Sequence, residues 1–190
     1  TTLIEAAAMP TNVIASFVTP ADQSGSIILR ASADNTPIYI DWSGTEADLQ
    51  EYQVGTYPQT FSVTSKKGAT VRVYTYSDTN NLTVFSVGGI TMSSIDASKL
   101  TNLLLFGVTN AGLTENDIKW PESSVLQELR LSGNNFSNID LTKYPNIYDI
   151  VLNENKLTSF DASLYPKLQM LSISNNQLTS FKADNSELWH

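Results

Sequence analysis

The sequence predicts a mainly β chain: an all-β sandwich, then a short solenoid with a parallel sheet and little helix. Three observations predict it. From Leu82 onward, apolar residues return in phase about every 21 positions. Each return opens strand-like and then stops alternating, which neither a helix of period 3.6 nor a long strand of period 2 does. Before Leu82 the texture changes to short β-branched and aromatic runs broken by Pro, Gly, Asp and Asn, the pattern of an all-β sandwich.

Composition narrows the function classes. The chain has 190 residues, 41% hydrophobic and 16% charged, enough to bury a real core and without a low-complexity tract. Eleven basic against 19 acidic residues give a net charge of −8 and a pI near 4.5. That balance repels phosphate backbones and anionic membranes, so neither nucleic acid nor a lipid surface is expected as a partner. No run approaches the roughly 18 apolar residues of a membrane span. The opening "TTLIEAAAMPTNV" has no positive region followed by an apolar core and reads as the start of a mature or trimmed chain. The absence of cysteine excludes disulfides, thiol catalysis and Cys-ligated zinc, and leaves the compartment open.

Residues 1–81 form the first expected unit. Strands are expected near "NVIASFVT", "SIILRASA", "PIYIDW", "LQEYQV", "TFSVTS" and "TVRVYTYS". In "PIYIDW", Ile38, Ile40 and Trp42 share one face and Tyr39 and Asp41 the other, which makes Trp42 the core aromatic, with "SGTEADLQEY" carrying the following turn. The run "DWSGT" resembles the Trp-Gly-Asp-Gly-Thr-type turn of PKD-like immunoglobulin-type domains, although it lacks the Asp-Gly pair. That resemblance implies a sandwich capping whatever follows. "NNLTVFSV" can serve both as its last strand and as the first strand of the solenoid, and no Pro/Gly/Ser linker intervenes, so a rigid joint is expected.

Residues 82–190 form the second unit, with turns starting at 82, 103, 126, 147 and 168. The clearest copies are "LQELRLSGNNFSNIDLTKYPN", "IYDIVLNENKLTSFDASLYPK" and "LQMLSISNNQLTSFKADNSEL". The turn from Leu103 runs 23 residues and has Ala111 where Asn belongs. The template LxxLxLxxN at this period is the leucine-rich repeat signature. Its alternating residues, such as Leu129 and Leu131, point inward from a short strand, and successive strands pair in parallel. Asn134, Asn155 and Asn176 then end the strand. They are expected to stack as a structural ladder, satisfying backbone groups that would otherwise cost roughly 1–3 kcal/mol apiece. A 21-residue turn leaves too little chain for a returning α-helix, so extended or 3₁₀ backbone is expected there. Asp96, Asp140 and Asp161 suit Asx turns.

With those motifs in hand, notably "LSISNNQLTSF", "SFDAS" and "SIDAS", residues 82–190 resemble the 21-residue repeats of bacterial surface proteins of the internalin-like class. The resemblance implies a secreted or cell-surface bacterial protein, anchored through a removed N-terminal segment. It implies recognition of another protein through the concave face of the sheet, for adhesion or binding. Some members of the class carry a cysteine ladder at the third core position. Here that column is Val87, Val108, Leu131, Leu152 and Ile173.

The residue inventory disfavours an enzyme. The single histidine is His190, the last residue, and Glu46, Asp48 and Glu51 read as a solvated loop with nothing to raise one carboxyl. No cofactor and no metal site is expected. The positions between core residues read Val84/Ser86, Leu105/Gly107, Glu128/Arg130, Asp149/Val151 and Met170/Ser172. Of these, Leu105, Glu128, Arg130, Asp149, Val151, Met170 and Ser172 are the candidate concave-face contacts, with Arg130 able to pair Glu128 or Asp149. The expected partner is a protein of the host or a companion surface protein. A glycan is the other ligand class, weakened by the lack of aromatics on this strip. The second function class is a structural spacer or assembly component that contacts a companion subunit. Tyr144 and Tyr165, each before Pro, are expected under the convex turn with the hydroxyl in water. Trp120, in an edge loop "ENDIKWPESS", is expected to seal the longer turn. At the end of the chain, either Leu188 and Trp189 fold over the last turn or the open end pairs with another molecule.

Overall fold

The computed structural model describes residues 10–47, 49–76 and 81–183. Asp48, Leu188, Trp189 and His190 lie outside the described residues. The protein is mainly β, and its only helical segments among the described residues are two 3₁₀ turns, Glu115–Asp117 and Ala162–Leu164. No described helix is long and apolar enough to cross a membrane.

The first strands are β1 (Asn12–Val18), β2 (Gln23–Ala31), β3 (Thr36–Asp41), β4 (Leu49–Val54), β5 (Gln59–Ser65), β6 (Thr70–Thr75) and β7 (Leu82–Gly88). They follow the expected runs closely, because each alternates residues that bury with residues that do not. In β2, Ile27, Leu29 and Ala31 are buried while Ile28 and Arg30 are half-exposed. Trp42 is buried against Phe17, ring centroids 6.1 Å apart, and its Nε1 donates to the Tyr52 hydroxyl at 2.8 Å. Asp41 departs from its expected outward placement and is fully buried. The turn folds over it: Oδ1 accepts from the amides of Ser43 and Gly44 and from the Ser43 hydroxyl, and Oδ2 accepts from the Glu46 amide.

The remaining strands are β8 (Ser94–Asp96), β9 (Leu105–Thr109), β10 (Ile118–Lys119), β11 (Glu128–Arg130), β12 (Asp149–Val151), β13 (Ser159–Asp161), β14 (Met170–Ser172) and β15 (Ser180–Lys182). They make a parallel solenoid of about five turns, returning every 21 residues except in the second. One sheet runs β14-β12-β11-β9-β7-β2-β5 and another β10-β8-β1-β6-β3-β4, with β13 and β15 paired separately. β7 pairs antiparallel with β2 on one edge and in parallel with β9 on the other. β8 likewise joins β1 antiparallel and β10 parallel. One hydrophobic core therefore runs from Ile14 to Leu168 without a break at residue 82.

Within the antiparallel block, β1 lies beside β6 and β7 beside β2. In the immunoglobulin layout the first strand adjoins the second and the seventh adjoins the sixth. Alternation tells which residues face inward but not which sheet a strand joins, since either sheet buries the same face.

Three ladders hold the solenoid turns in phase. Phe85, Phe106, Leu129 and Ile150 form one fully buried column, and Val87, Val108, Leu131 and Leu152 the next. The side-chain amides of Asn134, Asn155 and Asn176 each bind back to the preceding turn: Asn155 Nδ2 donates to the carbonyls of Leu131, Leu152 and Asn153, and its Oδ1 accepts from the Phe136 amide. The residue before each of these asparagines is left-handed. Gly89, Asn110, Gly133, Glu154 and Asn175 all have φ between 52° and 73° at this one repeat position. Gly and Asn accept that conformation readily, whereas Glu154 pays roughly 1 kcal/mol for it.

The return side is extended or 3₁₀, as its length dictates. Asp96, Asp140 and Asp161 close Asx turns onto the amides and hydroxyls of Ser98, Thr142 and Ser163. Tyr144 and Tyr165 are buried and their hydroxyls do not reach water: Tyr144 donates to the Pro121 carbonyl at 2.8 Å, and Tyr165 accepts from the Leu141 amide at 3.1 Å. Each hydroxyl thus ties its turn to the preceding one. The two additional residues of the second turn lie upstream of Trp120. Asn110 precedes Ile118 by eight residues, while Gly133 precedes Ile139 by six, and the surplus is taken up in the 3₁₀ turn Glu115–Asp117. Trp120 itself packs against Phe106 and Phe136, centroids 6.1 and 6.2 Å away, so it fills the wider turn.

Candidate functional site

The parallel strands set the candidate residues in two neighbouring rows on the open face of the seven-stranded sheet. Cross-strand register aligns Leu105, Glu128, Asp149 and Met170 in one row and Gly107, Arg130, Val151 and Ser172 in the other. All seven expected contacts are therefore brought together. They are not equally available: Met170 and Ser172 are exposed, Leu105, Glu128, Arg130 and Val151 half-buried, and Asp149 buried.

Arg130 pairs with both carboxylates. Its Nη2 donates to Glu128 Oε2 and to Asp149 Oδ2, each at 2.9 Å. Glu128 Oε1 accepts from the Tyr148 hydroxyl at 2.7 Å, and that bond, with burial adding to it, pushes the phenol above its ordinary value. Arg130 Nη1 is buried and has no partner. The centre of the strip is a pre-organised polar network, since its members hold one another in place before any ligand arrives.

Gly107 explains how the rows close up. A Cβ built there would stand 2.2 Å from Ser86 Oγ and 3.2 Å from Arg130 Cβ. Only glycine admits both neighbours.

The repeat pattern alone missed the other half of this face. The same two rows continue across β7 onto the antiparallel strands, through Val84 to Arg30 and through Ser86 to Ile28 and Thr60. A hollow of about 720 Å³ opens at this junction, lined among others by Ile28, Arg30, Pro58, Val84, Leu105 and Arg130. The outward side of "SIILRASA", with Ile28 beside Arg30, was the available signal. An apolar residue pointing out of a half-buried strand is informative where a neighbouring surface adjoins it.

Away from the strip, Glu46 and Glu51 are exposed. No three acidic, His or Cys side chains among the described residues come close enough to hold a metal ion. No family model, no curated protein and no solved structure matches the chain.

Proposed function

We propose that the chain is a non-enzymatic recognition or adhesion module of a bacterial surface or secreted protein, of the internalin-like leucine-rich class with an immunoglobulin-like sandwich before the repeats. It binds a protein partner along the open face of the seven-stranded sheet. The observation that carries this reading is the continuity of that face: two rows of side chains cross from the antiparallel block into the solenoid without a loop, and a hollow opens at the crossing. A preformed surface of mixed aliphatic, arginine and carboxylate side chains suits protein recognition, because little ordering remains to be done on binding.

The test is a photo-reactive residue placed at Met170 on the face and, as a control, at Leu164 on the 3₁₀ turn, both exposed. A discrete protein adduct from Met170 alone, lost when the uncharged Val151→Gln is added, supports the reading. Equal labelling from both positions, or none from Met170, sinks it. Arg130→Glu is unsuitable, since it would set a third carboxylate beside Glu128 and Asp149 and report on stability instead.

The assembly reading has one observation in its favour, the apolar residues left uncovered on the last described turn. Phe181 is 47% exposed, and Leu171 and Ile173 are only partly covered. A photo-reactive residue at Phe181 that gives the adduct when Met170 does not would favour a companion subunit docked on that turn.

A further inference from the structure

The donors and acceptors around the junction hollow are unequally satisfied. Both Glu128 oxygens are engaged, one by Arg130 and one by Tyr148. The cationic side is not used up. Arg130 spends one terminal nitrogen on two carboxylates and leaves the other buried without a partner. Arg30 donates through Nε to Thr83 Oγ1 at 2.9 Å and has no carboxylate within salt-bridge distance among the described residues. A guanidinium has five donors and no acceptor, and Arg130 already has two carboxylates, so it is Arg30 that lacks an acceptor-rich, anionic group. Between them lie the aliphatic side chains of Ile28, Val84 and Leu105, which lose water favourably only against apolar atoms.

We propose that the hollow between β2 and β11 receives an extended segment of a partner protein that sets a carboxylate against Arg30 and an adjacent aliphatic side chain against Ile28, Val84 and Leu105. This rests on the open-face reading above and specifies its chemistry. No aromatic ring among the described residues lines the hollow, so a sugar ring finds no stacking surface on them. The net charge of −8 repels an acidic partner at long range and attracts a basic one. Selection of an acidic segment therefore requires local pairing, not bulk attraction.

The experiment is selection of a displayed random heptapeptide library on the purified chain, followed by affinity measurements with the enriched peptides made synthetically. The expected peptides carry Asp or Glu next to or one position from Leu, Ile or Val. Arg30→Gln weakens them by roughly tenfold or more, while Arg30→Lys, a point charge without the planar fork, retains part of the affinity. Leu105→Ser, which adds no charge and leaves Arg30 in place, weakens the same peptides through the aliphatic contact. Melting curves of all three variants verify that the fold is kept.

Enrichment of basic or uncharged peptides, affinity indifferent to Arg30→Gln, or no enrichment overturns the inference. Binding of a uronic-acid oligosaccharide that depends on Arg30, with no peptide enriched, overturns it in favour of an acidic glycan. Peptides that lose affinity on Val151→Gln but ignore Arg30→Gln leave the open-face reading standing and refute the carboxylate. Peptides that ignore every substitution on the face refute both.

Discussion

The first and the last described turns of the solenoid carry the same repeat and bury it very differently. At the first turn, Val87 and Ile95 are buried beneath β2 and β1, because both sheets of the antiparallel block continue into the repeat. At the last turn, the equivalent Ile173 is half-covered and Phe181 is 47% exposed. The residues are equally apolar, so the difference lies in the neighbours. A solenoid turn does not own a core. It borrows one from the turn on either side.

The sharpest way to break this comparison uses two phenylalanines in register. Phe160 is buried and stacks on Tyr165 with centroids 5.6 Å apart, and Phe181 pairs with it from the next turn. Phe160→Ala is expected to cost about 3–5 kcal/mol and Phe181→Ala about 1 kcal/mol, read from denaturant melts. Equal costs would mean that the last turn is covered as well as the one before it.

A smaller gap is expected along the asparagine ladder. Asn155 is buried and serves four backbone groups, while Asn176 makes the corresponding bonds in a half-exposed position. Asn155→Ala should destabilise by about 2–3 kcal/mol and Asn176→Ala by about 1 kcal/mol, because water can replace the amide only at the second. Native-state hydrogen exchange at the Phe136 and Leu157 amides measures the same difference locally.

The left-handed column offers a test with the opposite sign. Glu154→Gly is expected to raise stability by about 0.5–1 kcal/mol, whereas Asn175→Gly should change little, since Asn already tolerates φ near 56°. A loss of stability at Glu154 would show that its side chain does something its backbone strain conceals.

The smallest effect is acid sensitivity of the return side. The Thr142 hydroxyl and amide hold Asp140 below the ordinary carboxylate value of 3.8, and the Ser163 hydroxyl and amide do the same for Asp161. At Asp96, burial pushes upward, but Ser98 and Lys119 outweigh it. A carboxylate whose folded pKa is depressed contributes stability above its unfolded value and loses it as pH falls through the folded one. Melting temperature should therefore decline below about pH 4, and Asp140→Asn should flatten that decline slightly, these groups being well exposed.

The register of the repeat was legible because five copies constrain one another: Leu105, Glu128, Asp149 and Met170 align in the structure as the period required. The Asx turns were legible for the same reason. What escaped depends on contacts distant in sequence. Arg30 and Ile28 join the candidate face only because β2 pairs with β7 across more than fifty residues, and no local pattern encodes that partner. Asp41 is buried by a loop folding over it, which alternation does not report. The tyrosine hydroxyls find backbone partners one turn away, and Glu154 is left-handed by its place in the repeat although nothing about glutamate announces it.

The second turn shows how such a chain can grow. Its two additional residues sit between the left-handed Asn110 and Ile118, inside a 3₁₀ turn, and the strands on either side keep their pairing. The left-handed residue thus works like punctuation in a reading frame. Length added after it is absorbed on the return side and leaves the face unread. One residue added before it, within a strand, would exchange the core side chains of the rest of that strand for surface ones. Loop length and the composition of the sheet face can in this way change separately.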